Sequence, residues 1–497
     1  MNPHRASSKK VIMIMLDTLM DKPFQKALQE ENLPAFSFFM KTANYYYPDI
    51  VAPYPTMSVN VESTLLTGQY SNHHHVPALA WYSETENRII NYGTHIMELM
   101  KLGLTRSMYD VLYRLNHSHL NENVKTIHEE LHEQGKSSAS INPLIHRGKT
   151  SQTITIPSLI RFFVACEKKI TTNAASTFVY GRLAQLSPLR KYGRIWSKYG
   201  FNNNFSVQEF SHLIENENLP SFSIVYLPDH DKNVHKHGPM DIQGIKDMDK
   251  QLETILNTFP SWEEALESAV WILIGDNGQS HVNDDSKTAL VDLRKLLAPL
   301  KITKLRNGVR KEDQVVLAPN LRSCFIYTLS PSEVPLSLLV EKLQKDTRIE
   351  MIAWKKGEWI EVTAGGNTKT CQFKHEGRWV DEYNQTWEIE GDDSLLDLQL
   401  HENAVTFGRF PDALARLYSA LHSHNGEFIA ASVKPGYEFI SESTPSHAGG
   451  ASHGGFHSND SLIPMMVAGT DSAPEFRRIV DLKKWILHLI QPQSPRS

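Results

Sequence analysis

The chain is poor in cysteine. Its three cysteines, Cys166, Cys324 and Cys371, lie far apart and form no Cys-x-x-Cys pair. That spacing argues against a disulfide framework and for a reducing, cytoplasmic setting. Long apolar runs are missing as well. The run Val11–Leu16 near the start is stopped by Asp17, too early for the apolar centre of a signal peptide and far too early to span a membrane. Basic excess is also lacking: 51 Lys and Arg against 56 Asp and Glu give a net charge of -5. No nucleic-acid-binding patch is expected from such a balance, and no membrane partner. An anionic substrate would need its positive charge supplied locally, for instance by a metal ion. Composition says nothing about oligomeric state.

A length of 497 residues with 40% hydrophobic content suffices for one large α/β domain with insertions. Val11–Leu16, Phe222–Leu227 and Val270–Gly275 are continuous apolar, β-rich runs, the pattern of central strands in a mostly parallel sheet buried on both faces. Tyr45–Val51, Ser137–Ile141 and Leu462–Val467 read as further strands. Amphipathic helices are expected over 24–42, 95–135, 242–259, 410–422 and 474–490. Residues 150–215 read as helix-rich, so that 100–215 forms a helical lobe. Its basic residues, Lys168, Lys169, Arg182, Arg190, Lys191 and Arg194, read as a solvated face. Residues 358–400, with alternating polar and apolar positions around Trp359, Phe373, Trp379 and Trp387, read as a small β insertion. The main domain then comprises 1–357 and 401–490, and 491–497 reads as a disordered tail.

The stretch that organises these elements is VAPYPTMSVNVESTLLTG at 51–68. A hydroxyl-rich turn that opens a helix offers a nucleophile beside free backbone N–H groups and a positive dipole end. Its Thr56 and Ser58 are the candidate nucleophiles; by itself, such a turn is more often a helix cap. The rest of the chain changes that balance. Three apolar strands each lead into an acidic residue, Asp17, Asp231 and Asp276. A parallel sheet would set all three on one rim, where like charges are costly without a cation. His235 follows Asp231 at a four-residue spacing, and His453 lies between glycines. Carboxylate oxygens with imidazole nitrogens suit Zn²⁺ or Mn²⁺, and this many ligands suggest two ions. Two metals clamp the attacking and leaving oxygens of an in-line phosphoryl displacement, with the hydroxyl of the turn at 56–58 as nucleophile.

With VIMIMLD, PTMSVNVESTLLTG, DKNVHKHGP, WILIGDNG and ASHGG following one another in this order, the chain resembles the alkaline phosphatase superfamily, in particular its type I phosphodiesterase/nucleotide pyrophosphatase family. The resemblance spans roughly residues 10–470 and implies an alkaline-phosphatase-like three-layer α/β sandwich. It implies hydrolysis of a small phosphate ester, nucleotides included, through a covalent phospho-Ser/Thr intermediate at a two-metal site. It places Asp17, the nucleophile hydroxyl and Asp276 on one metal, and Asp231, His235 and His453 on the other. Counting back from Thr67-Gly68 selects Ser58 as nucleophile, with Thr56 the alternative because threonine is the commoner choice in the family. Zn²⁺ is the expected ion, with Mn²⁺ or Mg²⁺ as alternatives.

Two positions depart from the family pattern. The family carries Asp-His where this chain has Asp276-Asn277, and glycine is common where it has Thr18. Asn277 can ligate through its amide oxygen, with harder character, and His281 is a candidate substitute. Asn60 is read as a helix cap or a phosphate contact. A sulfatase is disfavoured, because Ser58–Glu62 lacks the proline and arginine of the C/S-x-P-x-R pattern. A phosphomonoesterase, a phosphonate hydrolase and a degenerate member that binds a phosphorylated ligand without turnover remain as alternatives.

Overall fold

The computed structural model describes residues 9–164, 166–188 and 192–491. A seven-stranded sheet forms its centre, in the order Tyr45–Val51, Leu462–Ala468, Ala269–Gly275, Lys10–Leu16, Phe222–Leu227, Ser138–Ile141, Thr177–Val179. The last five run parallel, and Leu462–Ala468 lies antiparallel on Ala269–Gly275. Phe222–Leu227 and Ala269–Gly275 are buried at every position, as continuous apolar runs in a covered sheet must be.

Alternate side chains of the first strand go to opposite faces. Val11, Met13 and Met15 pack with Val59, Val61, Leu65 and Leu66 of the Ser58–Thr67 helix and with the C-terminal helix Ile479–Ile490. Ile12, Ile14 and Leu16 pack with Phe24, Phe36, Phe39, Met248 and Leu252. The result is the three-layer α/β sandwich expected of the sequence.

Several elements differ from that reading. The stretch 24–42 holds two helices, Asp21–Glu30 and Pro34–Thr42. Pro34 opens the second, and a proline disfavours helical backbone at the residue before it. Within 95–135, Gly103 at φ 100° separates Ile96–Leu102 from Leu104–Tyr109, and Asp110–His119 is a π-helix. The helix-rich reading of 150–215 is corrected. Thr150–Thr155 and Lys169–Ala174 form an antiparallel hairpin, and Thr177–Val179 with Ser138–Ile141 belongs to the central sheet. The β-branched stretches TSQTIT and KITT explain the hairpin. The strands of 358–400 join a nine-stranded sheet through the pairing of Trp359–Thr363 with Ile349–Lys356. The hairpin Leu398–His401/Ala404–Phe407 straddles residue 400. Arg190, Lys191 and the tail beyond Gln491 lie outside the described residues.

A buried ion pair fixes the segment that carries His453. Arg322 and Asp460 are both fully buried and paired, and Ser280 donates to Asp460 at 2.6 Å. Asp460 also accepts the Gly455 N–H at 2.7 Å, and the Arg322 backbone N–H donates to the His453 carbonyl at 3.0 Å. Removing one member of such a pair leaves an uncompensated buried charge. Arg322→Ala is therefore expected to destabilise the fold by about 3–5 kcal/mol, measured by urea unfolding. Loss under about 1 kcal/mol would mean that the Asp460 network does not hold this loop.

Candidate active site

The rim at the carboxyl ends of the parallel strands collects the acidic residues. Leu16 is in register with both Gly275 and Leu227, so Asp17 and Asp276 leave neighbouring strands at the same height. After the third strand the chain turns through Pro228 into the helix Asp229–His237. Asp231 and His235 are one helical turn apart on it and share a face. His453 follows the short strand Ala451–Ser452, which pairs with Ser280–His281. Gly450 allows the close approach there, since a Cβ would meet the His235 carbonyl at 2.0 Å. Gly454 takes φ 92° in the turn after His453.

Asp231, His235 and His453 converge, with donor atoms within 4.8 Å of one another. His235 Nδ1 bonds the Ala451 carbonyl and His453 Nδ1 the Thr56 carbonyl, each at 2.8 Å. Both rings therefore turn Nε2 toward Asp231 Oδ1, at 3.3 and 3.7 Å. Anchoring one ring nitrogen on a carbonyl and freeing the other is how metal-binding histidines are held. Burial opposes ionisation of Asp231, but the two imidazoles outweigh it and hold the carboxyl below its usual range. The cluster fits a divalent cation.

The second cluster is built of oxygens. Ser58 is the first residue of its helix, and its Oγ donates to Asp276 Oδ2 at 2.8 Å. Asp276 Oδ1 accepts the backbone N–H groups of Thr18 and Asn277 at 2.9 and 2.8 Å. Asp17 accepts from the Tyr226 hydroxyl at 2.6 Å. Burial, with the charges of Asp276 and Asp231, pushes Asp17 well above the carboxylate range, and burial raises Asp276 too. A cation among these carboxylates would relieve that crowding. Asn277 is fully buried, and its Nδ2 has no partner. The donor set fits a hard divalent ion.

Among the described residues, Ser58 and Thr56 are separated by their surroundings. Ser58 lines a cavity of about 470 Å³ together with Asp17, Asp231, His235 and His453. Thr56 is fully buried, and its Oγ1 accepts the Gly454 N–H at 2.9 Å. The remaining candidates divide as follows. His281 pairs with Asp284 on the surface at 3.8 Å and does not line the cavity. His74, which is not among the sequence-based candidates, is buried between Thr64 and Val76, with burial pushing its pKa down to about 3. Asn60 neither caps the helix nor lines the cavity; its Nδ2 donates to the Pro55 carbonyl at 2.9 Å and closes the turn.

A family model for type I phosphodiesterase/nucleotide pyrophosphatase matches residues 11–456. The chain belongs to this family. Its members are phosphodiesterase/pyrophosphatase-type hydrolases. Among solved structures, murine ectonucleotide pyrophosphatase/phosphodiesterase 5, as an inactive variant in complex with AMP, matches at 13% identity and TM-score 0.56 over 97% of this chain and 95% of that one. The human counterpart matches with the same values, 13% identity and TM-score 0.56. Such identities show the fold. No curated protein sequence matches the chain. Among the described residues, no helix is long and apolar enough to cross a membrane.

Other residues of this family member's site were not anticipated. His447 stacks on His235 at 4.1 Å between ring centres, and Glu438 accepts from its Nδ1 at 2.7 Å. His447 lies six residues before His453, just ahead of the ASHGG motif, but nothing local pairs it with Glu438. Tyr92, Phe201 and Phe439 supply aromatic cavity walls, and Glu98 a carboxyl. Tyr92 and Phe201 lie in loops, Glu98 on the helix Ile96–Leu102 and Phe439 on the strand Glu438–Ile440, so they share no spacing signal.

Glu62, buried in the Ser58 helix, accepts the Ile145 N–H at 2.8 Å. Burial pushes its pKa up from 4.5 to about 8. The folded state thus holds this proton more tightly than the unfolded one, and stability falls as pH rises between those values. Glu62→Gln should remove that loss. Its stability advantage over wild type should grow from about pH 5 to about pH 8.5, reaching on the order of a few kcal/mol. Thermal unfolding across that range checks it, and a constant difference would sink it.

Proposed function

We propose that the chain is a metal-dependent phosphodiesterase acting on small phosphate esters, nucleotides among them, with Ser58 as nucleophile. The observation that carries this reading is the Ser58 Oγ–Asp276 Oδ2 hydrogen bond of 2.8 Å, at a helix start that no side chain caps. Asp17, Ser58, Asp276 and Asn277 would hold one divalent cation, and Asp231, His235 and His453 the other. Such ions supply Lewis acidity that lowers the pKa of a hydroxyl and neutralises charge on phosphoryl oxygens.

The chain's own residues do the rest. Ser58 directs its proton at Asp276 and presents Oγ lone pairs to the cavity. Attack by that oxygen on phosphorus breaks the P–O bond to one alcohol and forms a serine-linked phosphodiester. The Ser58 proton passes to Asp276 and the departing oxygen takes a proton from solvent. Water then cleaves the Ser58–phosphorus ester to release the phosphomonoester and restore Ser58. N–H groups of the first helical turn offer hydrogen bonds to the equatorial oxygens. Aromatic Tyr92, Phe201 and Phe439 line a cavity of about 470 Å³, suited to the apolar face of an ester group such as a nucleobase. The AMP complex of the murine relative supports a nucleotide.

The test is hydrolysis of bis-p-nitrophenyl phosphate and p-nitrophenyl phosphate with zinc, manganese and magnesium. Diester turnover should exceed monoester turnover, and Ser58→Ala should lower it about 10³-fold or more. Thr56→Ala should retain turnover, reduced through the His453 loop. Loss confined to Thr56→Ala would move the nucleophile, monoester preference would make the protein a phosphatase, and no turnover in folded, metal-loaded protein would leave a binding protein.

A further inference from the structure

The two clusters differ in donor chemistry, and that difference belongs to this chain. One offers two imidazole nitrogens and a carboxylate. The other offers the carboxylates of Asp17 and Asp276, the hydroxyl of Ser58 and the amide of Asn277. No histidine described above serves the second set: His235 and His453 aim Nε2 at Asp231, His281 faces Asp284, and His74 is enclosed by Thr64 and Val76.

The hydrogen bonding of Asn277 points the same way. Thr18 Oγ1 carries one hydrogen but lies 3.3 Å from Asp17 Oδ1, 3.1 Å from Asp231 Oδ1 and 3.2 Å from Asn277 Oδ1. It can donate to one of them only. Turning the Asn277 amide over sets its Nδ2 to donate to Thr18 and frees Oδ1 as a ligand, which also gives the orphaned nitrogen a partner. Thr18 is held for this at φ 57°, a left-handed backbone that β-branched residues rarely adopt. Gln279 Nε2 donates to Asp231 Oδ1 at 2.7 Å and to Thr18 Oγ1 at 3.3 Å. Thr18 and Gln279 thus tie the nitrogen-bearing cluster to the oxygen cluster.

We propose that the centre is built for two different cations: zinc at Asp231, His235 and His453, and a hard ion, Mg²⁺ or Mn²⁺, at Asp17, Ser58, Asp276 and Asn277. Imidazole with carboxylate suits zinc, whereas an all-oxygen set suits magnesium or manganese. This rests on the two-cation reading proposed above.

The test uses the full chain stripped of metal by chelation. Zinc is titrated in by calorimetry, and bound manganese is read by electron paramagnetic resonance in protein preloaded with one equivalent of zinc. The first zinc should bind at least about 100-fold more tightly than the second. The zinc-loaded chain should take up one manganese, lost in Asp17→Asn. Asn277→His should tighten the second zinc about tenfold or more and weaken manganese. Two zinc ions of equal affinity in wild type, or no manganese uptake, would overturn the proposal whether or not the variants fold. Equal zinc sites in a protein that hydrolyses diesters would leave the phosphodiesterase reading intact. One zinc and one manganese without hydrolysis would support the proposal and sink that reading.

Discussion

Leu16 lies in register with Gly275 on one side and Leu227 on the other. From that alignment, three chain segments leave the sheet at one edge, and their carboxylates are forced together. Strand pairing and apolar burial stabilise the alignment over long stretches of the core. The electrostatic cost of crowding Asp17 beside Asp276 is thus imposed by the sheet. It is met locally by backbone N–H groups, the Tyr226 hydroxyl and Ser58, and a bound cation would meet the remainder.

The segments that deliver the other side chains are held by buried polar contacts. The Arg322–Asp460 pair secures the loop bearing His453, and the Thr56 carbonyl orients that ring. The Ala451 carbonyl orients His235, and the Ala451–Ser452 strand pairs with Ser280–His281, just beyond Asp276 and Asn277. The Ser58 turn, the strand-end loop and the His453 loop are therefore coupled, so a local change at one is felt at the others. Rigid support of this kind keeps the two Nε2 atoms converged on Asp231.

Asn277 and Thr18 are the places where this chain breaks the pattern it otherwise resembles. Both are fully buried and hydrogen-bonded to each other beside the acidic cluster. Under the proposed two-cation reading, a buried amide in place of an imidazole would trade a nitrogen ligand for an oxygen one. That bears on which ion is held more than on whether one is held.

The sequence by itself determined the central strands, because continuous apolar runs are read without tertiary context. It also determined the acidic residues at their ends and the His235 spacing, because a helical turn is local. It marked the Ser58 turn, and the family resemblance favoured Ser58 with Thr56, two residues away, as the alternative; the packing of Gly454 and His453 around Thr56 is what sets the two apart in space. It misread 150–215 as helix-rich, since the pairing of Thr150–Thr155 with Lys169–Ala174 is a non-local contact. The joining of 358–400 into a nine-stranded sheet is likewise non-local. Only the tertiary structure decided that His281 faces solvent, that Asn60 closes its own turn, that His447 and the aromatic walls belong to the cavity, and that Glu438 holds His447 there. Those roles depend on which loops meet in space, and no spacing along the chain encodes that.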